Sequence, residues 1–231
     1  MIQVQLEQIR QRILQACERG NRDPECVRLI AVSKTKPAEM IREAYEAGQR
    51  LFGENHAQEL VAKQPLLPPE IEWHFIGNLQ RNKVKYLVGK TALIHSVNSL
   101  PLAQEIERVA AKREVRQDIL LEVNIAGEAS KQGISDREAR ALAEAVSGMP
   151  HLRARGLMAV APIQADPEET RPVFRRLRAL REELAPLMDR PEDFCELSMG
   201  MSQDFEVAIE EGATYVRVGS AIFGERSYSR P

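Results

Sequence analysis

Cysteine is scarce: Cys17, Cys26 and Cys195 are the three in 231 residues, widely spaced and without a Cys-x-x-Cys pair. That count argues against a disulfide or zinc framework and fits a reducing, cytoplasmic setting. Charge of one sign is missing too. The 32 basic and 34 acidic residues leave a net −2, so no global basic field offers itself to nucleic acid. No run approaches the ~18 consecutive apolar residues of a membrane span. The opening stretch MIQVQLEQIRQRILQACERG lacks a long apolar centre and is expected to be an amphipathic helix over residues 1–20, not a secretory signal. No linker rich in glycine, serine or proline divides the chain, which is expected to form one domain over 1–231. GxGxxG, Walker and GxSxG motifs are absent. The four histidines, His56, His74, His95 and His151, have no metal-ligand spacing, so no metal site is expected.

What remains is a strict alternation of short β-rich runs with longer helical ones. Strands are predicted over 28–34, 51–54, 71–77, 92–97, 118–125, 152–160, 194–198 and 214–218. Helices are predicted over 38–48, 56–64, 80–88, 99–113, 135–148, 168–188 and 202–211, with a last short one near 220–224. Mostly apolar strands alternating with helices imply a parallel sheet buried on both sides. Eight such units in this length match a (β/α)8 barrel; a doubly wound open sheet is the competing architecture. The arginine-rich stretch EETRPVFRRLRALREEL could suggest an anionic partner. Val173, Leu177, Leu180 and Leu184 form an apolar stripe there, however, which makes the arginines a solvated face.

In such folds ligands sit at the carboxyl ends of strands. The first strand ends in LIAVSKTKP. Strand side chains alternate, so Ile30, Val32 and Lys34 share a face. If the first two point inward, Lys34 enters the barrel mouth. There a partly desolvated lysine is a usable amine for a Schiff base. Lys36 precedes Pro37, which can open the next helix at its first position. Lys36 is therefore expected to stay solvated in the turn. A pair of solvated loop lysines is the competing reading. The seventh strand ends in LSMGMS, with Ser202 as a candidate N-cap, and the eighth runs into VRVGSAIFG. Loops after strands seven and eight are the usual phosphate cradle of barrels, and helix-start N–H groups bind anions. Arg217 shares parity with Gly219 and could face the ligand. It could equally pair with Glu54 or Glu122.

Taken in order, LIAVSKTKP, AGQRLFGENHAQE, EWHFIGNLQRNK, HSVNS, ASKQGI, RGLMAV and ELSMGMSQDFEVAIEEGATYVRVGSAIFG, with a closing R-x-Y, resemble the YggS/PROSC family of pyridoxal phosphate homeostasis proteins, which includes the PipY proteins of cyanobacteria. The resemblance spans residues 29–228. It implies the alanine-racemase-like barrel of fold type III, binding pyridoxal 5′-phosphate (PLP). Lys34 matches the lysine that holds PLP as a Schiff base, and Arg217 the arginine near the pyridine nitrogen. A cation there keeps that nitrogen unprotonated and the ring a weak electron sink. Ser198, Met199, Gly219 and Ser220 fall in the phosphate-binding motifs. Asn55 and His74 match pocket residues. Lys131 matches a lysine thought to influence B6 handling. Departures are small: His56 where many relatives carry an aromatic, and Asn78.

The resemblance implies a PLP-binding protein of vitamin B6 homeostasis without known turnover. Possible further partners are other B6 vitamers and, transiently, PLP-dependent apo-enzymes. A racemase-like enzyme is the alternative, and a cofactor-free Schiff-base lyase a third. Racemases of this fold type carry a second β-domain with a tyrosine base, for which this chain has no room. None of Tyr45, Tyr86, Tyr215 and Tyr228 sits at a predicted strand end facing the mouth. No large apolar patch is evident, so a monomer is expected.

Overall fold

The computed structural model describes residues 1–127 and 132–224. Eight parallel strands close into a barrel in sequence order. They are β1 (Arg28–Val32), β2 (Leu51–Glu54), β3 (Glu72–Phe75), β4 (Leu93–Val97), β5 (Gln117–Glu122), β6 (Leu152–Met158), β7 (Glu196–Ser198) and β8 (Tyr215–Val218). Closure comes from β1 pairing with both neighbours: Ala31 stands opposite Phe52 of β2 and Val218 of β8. The open sheet is thereby ruled out.

Helices α1 (Ile2–Arg19), α2 (Ala38–Glu46), α3 (Ala57–Lys63), α4 (Leu100–Lys112), α5 (Asp136–Ser147), α6 (Arg171–Leu184), α7 (Phe205–Glu210) and α8 (Ser220–Phe223) surround it. Apolar side chains form two bodies. The large one lies between strands and helices, and α1 contributes Leu6, Ile9 and Ile13 to it. The small one fills the barrel: Ile30, Leu93, Leu120, Met158 and Tyr215.

Several expected boundaries shift. Residues 80–88 form a 3-10 segment, Arg81–Tyr86, instead of an α-helix. Of its six residues only Val84 is buried, so an α-helical stripe would have little to cover. The helix expected over 168–188 is α-helical only over Arg171–Leu184, with 3-10 turns on both sides that open at Pro167 and near Pro186. Proline lacks the N–H an α-helical interior needs. Pro37 precedes α2 as its N-cap and does not occupy its first turn. The helix expected from 202 begins at Phe205, with Asp204 in the capping position.

Glycine is required where β6 meets β7. A Cβ on Gly156 would lie 1.9 Å from the Glu196 carbonyl oxygen. Among the described residues no helix is long and apolar enough to cross a membrane, and no His, Cys, Asp and Glu cluster is placed to hold a metal.

Candidate functional site

The strand ends open into a cavity of about 570 Å³ whose wall includes Lys34, Asn55, Arg217, Ser202, Gly219 and Ser220. Lys34 reaches it by a different route from the one strand parity suggests. Strand β1 stops at Val32, and Lys34 lies in the turn that follows. The Lys36 N–H donates to the Ser33 carbonyl at 3.0 Å and closes that turn. Thr35 inside it sits at φ +64°, an unusual conformation for a β-branched residue. Its N–H donates to Glu59 Oε1 at 2.6 Å. Ser33 is fully buried and donates to the Gly53 carbonyl from its N–H at 3.0 Å.

Lys36 is not solvated as expected. Half-buried, its ammonium donates to the carbonyls of Phe223 at 3.1 Å and Gly224 at 3.0 Å. It ties the first turn of the mouth to the last. The two lysines thus divide: Lys34 borders the cavity and Lys36 braces its wall.

Arg217 forms part of the floor. Its guanidinium donates to Ser198 Oγ at 2.6 Å and to the Ala159 carbonyl at 2.9 Å. The two carboxylates considered as partners turn elsewhere: Glu54 to Lys63 at 2.7 Å, and Glu122 to Asn98 at 3.3 Å. Burial lowers the Arg217 pKa to about 10, with Asp204 and Glu122 acting against that shift through space. From Ser198 the polar chain descends into the barrel. Ser198 Oγ lies 2.9 Å from His95 Nδ1, and His95 Nε2 lies 2.9 Å from His74 Nδ1. Both rings pack edge-on or tilted against Tyr215. Burial holds His74 at a pKa of about 3 and His95 well below the usual imidazole range, so both are neutral near pH 7.

His74 and Ser198 therefore stand beneath the cavity floor and do not line its wall. The Met199 side chain is buried in the outer apolar core and is likewise not on the wall. Its place in the motif reflects backbone position.

The segments expected to form the cradle bring two hydroxyls and a backbone N–H together. The Gly219 N–H reaches Ser202 Oγ at 3.4 Å, and Ser220 Oγ lies 3.2 Å from it. Ser202 turns to the residues after β8, and Asp204, at the N-cap position of α7, accepts the Met201 N–H at 2.6 Å through its carboxylate without capping the helix's own N–H groups. Asn55 Oδ1 is buried without a hydrogen-bond partner at the cavity edge. A buried acceptor needs a donor, and at the edge of a cavity a ligand or a water can supply one. An amine, a cation, a cluster of small donors and an orphan acceptor around one cavity suit a small phosphorylated carbonyl compound with a polar ring.

Sequence reasoning overlooked His95 as a link to Arg217, Ser202 as a wall residue, and the buried Lys63. The Glu59 and Lys63 spacing of i,i+4 was the available signal, and it is shared by many solvated pairs. Lys131 and the closing Arg226-x-Tyr228 lie outside the described residues.

A closed parallel barrel with a lysine at the end of its first strand and a donor cradle after its last two defines the class. The model of the alanine racemase N-terminal domain family matches residues 4–227. A pyridoxal phosphate homeostasis protein of Aquifex aeolicus is 48% identical over 224 residues, covering 96% of this chain and 97% of that protein. The structure of PipY from Synechococcus elongatus, solved with PLP bound, superposes with a TM-score of 0.84 at 38% identity, covering 97% of this chain and all (100%) of that one. Alanine racemase from Bartonella henselae shares the fold alone: 14% identity and a TM-score of 0.72, with 98% of this chain matching 60% of that one. The chain belongs to the alanine racemase N-terminal domain family and, within it, to the pyridoxal phosphate homeostasis proteins.

Proposed function

We propose that this protein binds PLP in the barrel mouth and serves the intracellular balance of that cofactor without using it for turnover. The observation that carries the reading is convergence. Lys34, Arg217, Asn55 and the Ser202, Gly219 and Ser220 donors border one cavity. PLP brings an aldehyde, a pyridine nitrogen and a phosphate, and it supplies electron-withdrawing carbonyl chemistry. Lys34 Nζ is the amine to hold the aldehyde carbon. The hydroxyls and N–H groups of residues 202, 219 and 220 would take the phosphate. Arg217, held by Ser198 and Ala159, would face the ring nitrogen and keep protons off it, which weakens the ring as an electron sink.

The placement of the described tyrosines favours holding over catalysis. Tyr215 is packed inside the barrel against both histidines. The Tyr45 hydroxyl reaches Glu70 at 3.3 Å, and Tyr86 lies in the outer 3-10 segment. None is set at the mouth as a base opposite Lys34, which two-sided proton transfer needs.

Incubation with PLP, borohydride reduction and peptide mapping test the reading. The label is expected on Lys34, with the visible band of the lysine adduct lost in Lys34→Ala. Lack of label on Lys34 would refute PLP attachment. Sustained racemisation of an amino acid by the pure protein would refute the non-catalytic role.

A further inference from the structure

Beneath the turn that carries Lys34 lies a second lysine, Lys63, whose side chain is 9% exposed. Its ammonium makes three bonds: to the Ser33 carbonyl at 2.8 Å, to Glu54 Oε1 at 2.7 Å and to Glu59 Oε1 at 2.6 Å. The same Glu59 oxygen accepts the Thr35 N–H at 2.6 Å, and Ser33 Oγ donates to Glu54 Oε1 at 2.7 Å. The network therefore grips the residue before Lys34 and the residue after it. It also grips Glu54, the neighbour of Asn55, another residue of the cavity wall.

A buried ion pair is poor evidence of stabilisation, because desolvation offsets its attraction. This one is also incompletely satisfied. Glu54 Oε2 is buried without a partner, and burial pushes the Glu54 pKa up despite the adjacent ammonium. Apolar side chains in place of the whole network would fill the space without these costs, whereas loss of Lys63 alone leaves Glu54 buried and unpaired. What the ion network supplies is geometry. It holds Thr35 at φ +64°, a conformation that persists only where surrounding contacts enforce it, typically at functional sites. That turn sets the direction in which Lys34 leaves the backbone.

We infer that Lys63, with Glu59 and Glu54, is a positioning device for Lys34: it fixes both flanking peptide units so that the Lys34 amine, and no other, meets an aldehyde bound in the mouth. The inference rests on the proposed PLP reading and deepens it. Groups that set a reacting atom from outside the site commonly change performance by factors of ten to a hundred.

The test compares wild type, Lys63→Met and Glu59→Ala, each checked for a cooperative melt. Each is given limiting PLP, reduced with borohydride and mapped by mass spectrometry. Equilibrium dialysis measures total PLP bound, and the visible band is titrated against pH. Folded Lys63→Met should retain PLP binding while the yield on Lys34 falls roughly tenfold or more and label spreads to other lysines. The pH at which the band titrates should also move, which a purely structural role would not cause. Wild-type yield on Lys34 with an unmoved pH profile in folded Lys63→Met overturns the inference. Should Lys63→Met fail to fold, Glu59→Ala decides. It removes the Thr35 acceptor from a partly exposed position, and wild-type labelling there overturns the inference equally. Absence of Lys34 label in the wild type instead sinks the PLP reading itself, so the two failures are distinct.

Discussion

His74 Nδ1 stands 2.9 Å from His95 Nε2 inside the barrel, within hydrogen-bond distance. Both rings are neutral because neither charge could be solvated there. Through Ser198 they end on Arg217, the cation of the cavity floor. The pair thus fixes the hydroxyl that orients a site residue, and its neutrality has a thermodynamic consequence.

Acid should unfold the protein by way of these rings. The His74 pKa falls from 6.5 to about 3 on folding. The unfolded chain therefore binds the extra proton first, and stability is present above pH 6.5 and lost as pH falls toward 3. The whole shift corresponds to a loss on the order of 5 kcal/mol. Urea unfolding stepped from pH 7 to 4 should show a steep decline in the wild type and a shallower one in His74→Met. Parallel slopes would show that His74 ionises without penalty.

Glu122 predicts the opposite trend. Desolvation raises its pKa from 4.5 to about 7, although Arg217 and the Asn98 bond act to lower it. A raised carboxyl pKa means the folded state holds the proton longer, so stability declines as pH rises from about 4.5 to 7. Glu122→Gln removes that decline. It should gain on the order of 3 kcal/mol over wild type at pH 8 and little at pH 4.5. A gain of equal size at both pH values would point to altered packing.

How far these features could be read from sequence depends on what each requires. The strands were legible because each is a short apolar run. The eightfold alternation was legible because helices separate the runs. The end of β1 was not: Ser33 is fully buried, so burial continues past the last paired residue while pairing stops at Val32. Ser202 has the right identity for an N-cap, but its hydroxyl is taken by Gly219 and Ser220, contacts 17 and 18 residues away. Lys63 gives no local sign of burial, since its role depends on Ser33, 30 residues earlier in the chain. Local pattern located the mouth. Which side chains stand on its wall and which stand behind it followed from long-range contacts alone.

Around the cavity, Arg217 on the floor and Ser220 in the cradle should differ in weight. Arg217→Ala removes a buried cation and leaves the Ala159 carbonyl unserved. Bonds to charged groups are worth about 1.5–3 kcal/mol, so PLP affinity should fall roughly tenfold to a hundredfold. Ser220→Ala removes a hydroxyl but keeps the backbone N–H, for a loss of about 1 kcal/mol. Fluorescence titration with PLP checks the order. Equal or reversed losses would contradict the assignment of the cradle.

Gly200 joins the fold to the site most directly. It sits at φ +89°, and a Cβ there would come within 2.6 Å of the Ala208 Cβ and 2.8 Å of the Phe205 Cα. Its carbonyl accepts the Arg217 N–H at 3.0 Å. Gly200→Ala must therefore push α7 away, strain a left-handed backbone position and disturb Arg217 together. Strain and overpacking add to roughly 3 kcal/mol of lost stability, and PLP affinity should fall as well because residues 201–204 move with α7. Gly148→Ala is the control, with nothing within 4 Å of the added methyl and φ at −82°. It should be neutral or stabilise by a few tenths of a kcal/mol through the unfolded chain. Thermal melts and PLP titrations of both variants separate the effects. A Gly200→Ala protein that keeps wild-type affinity despite lower stability would show that the turn after β7 does not set the cradle.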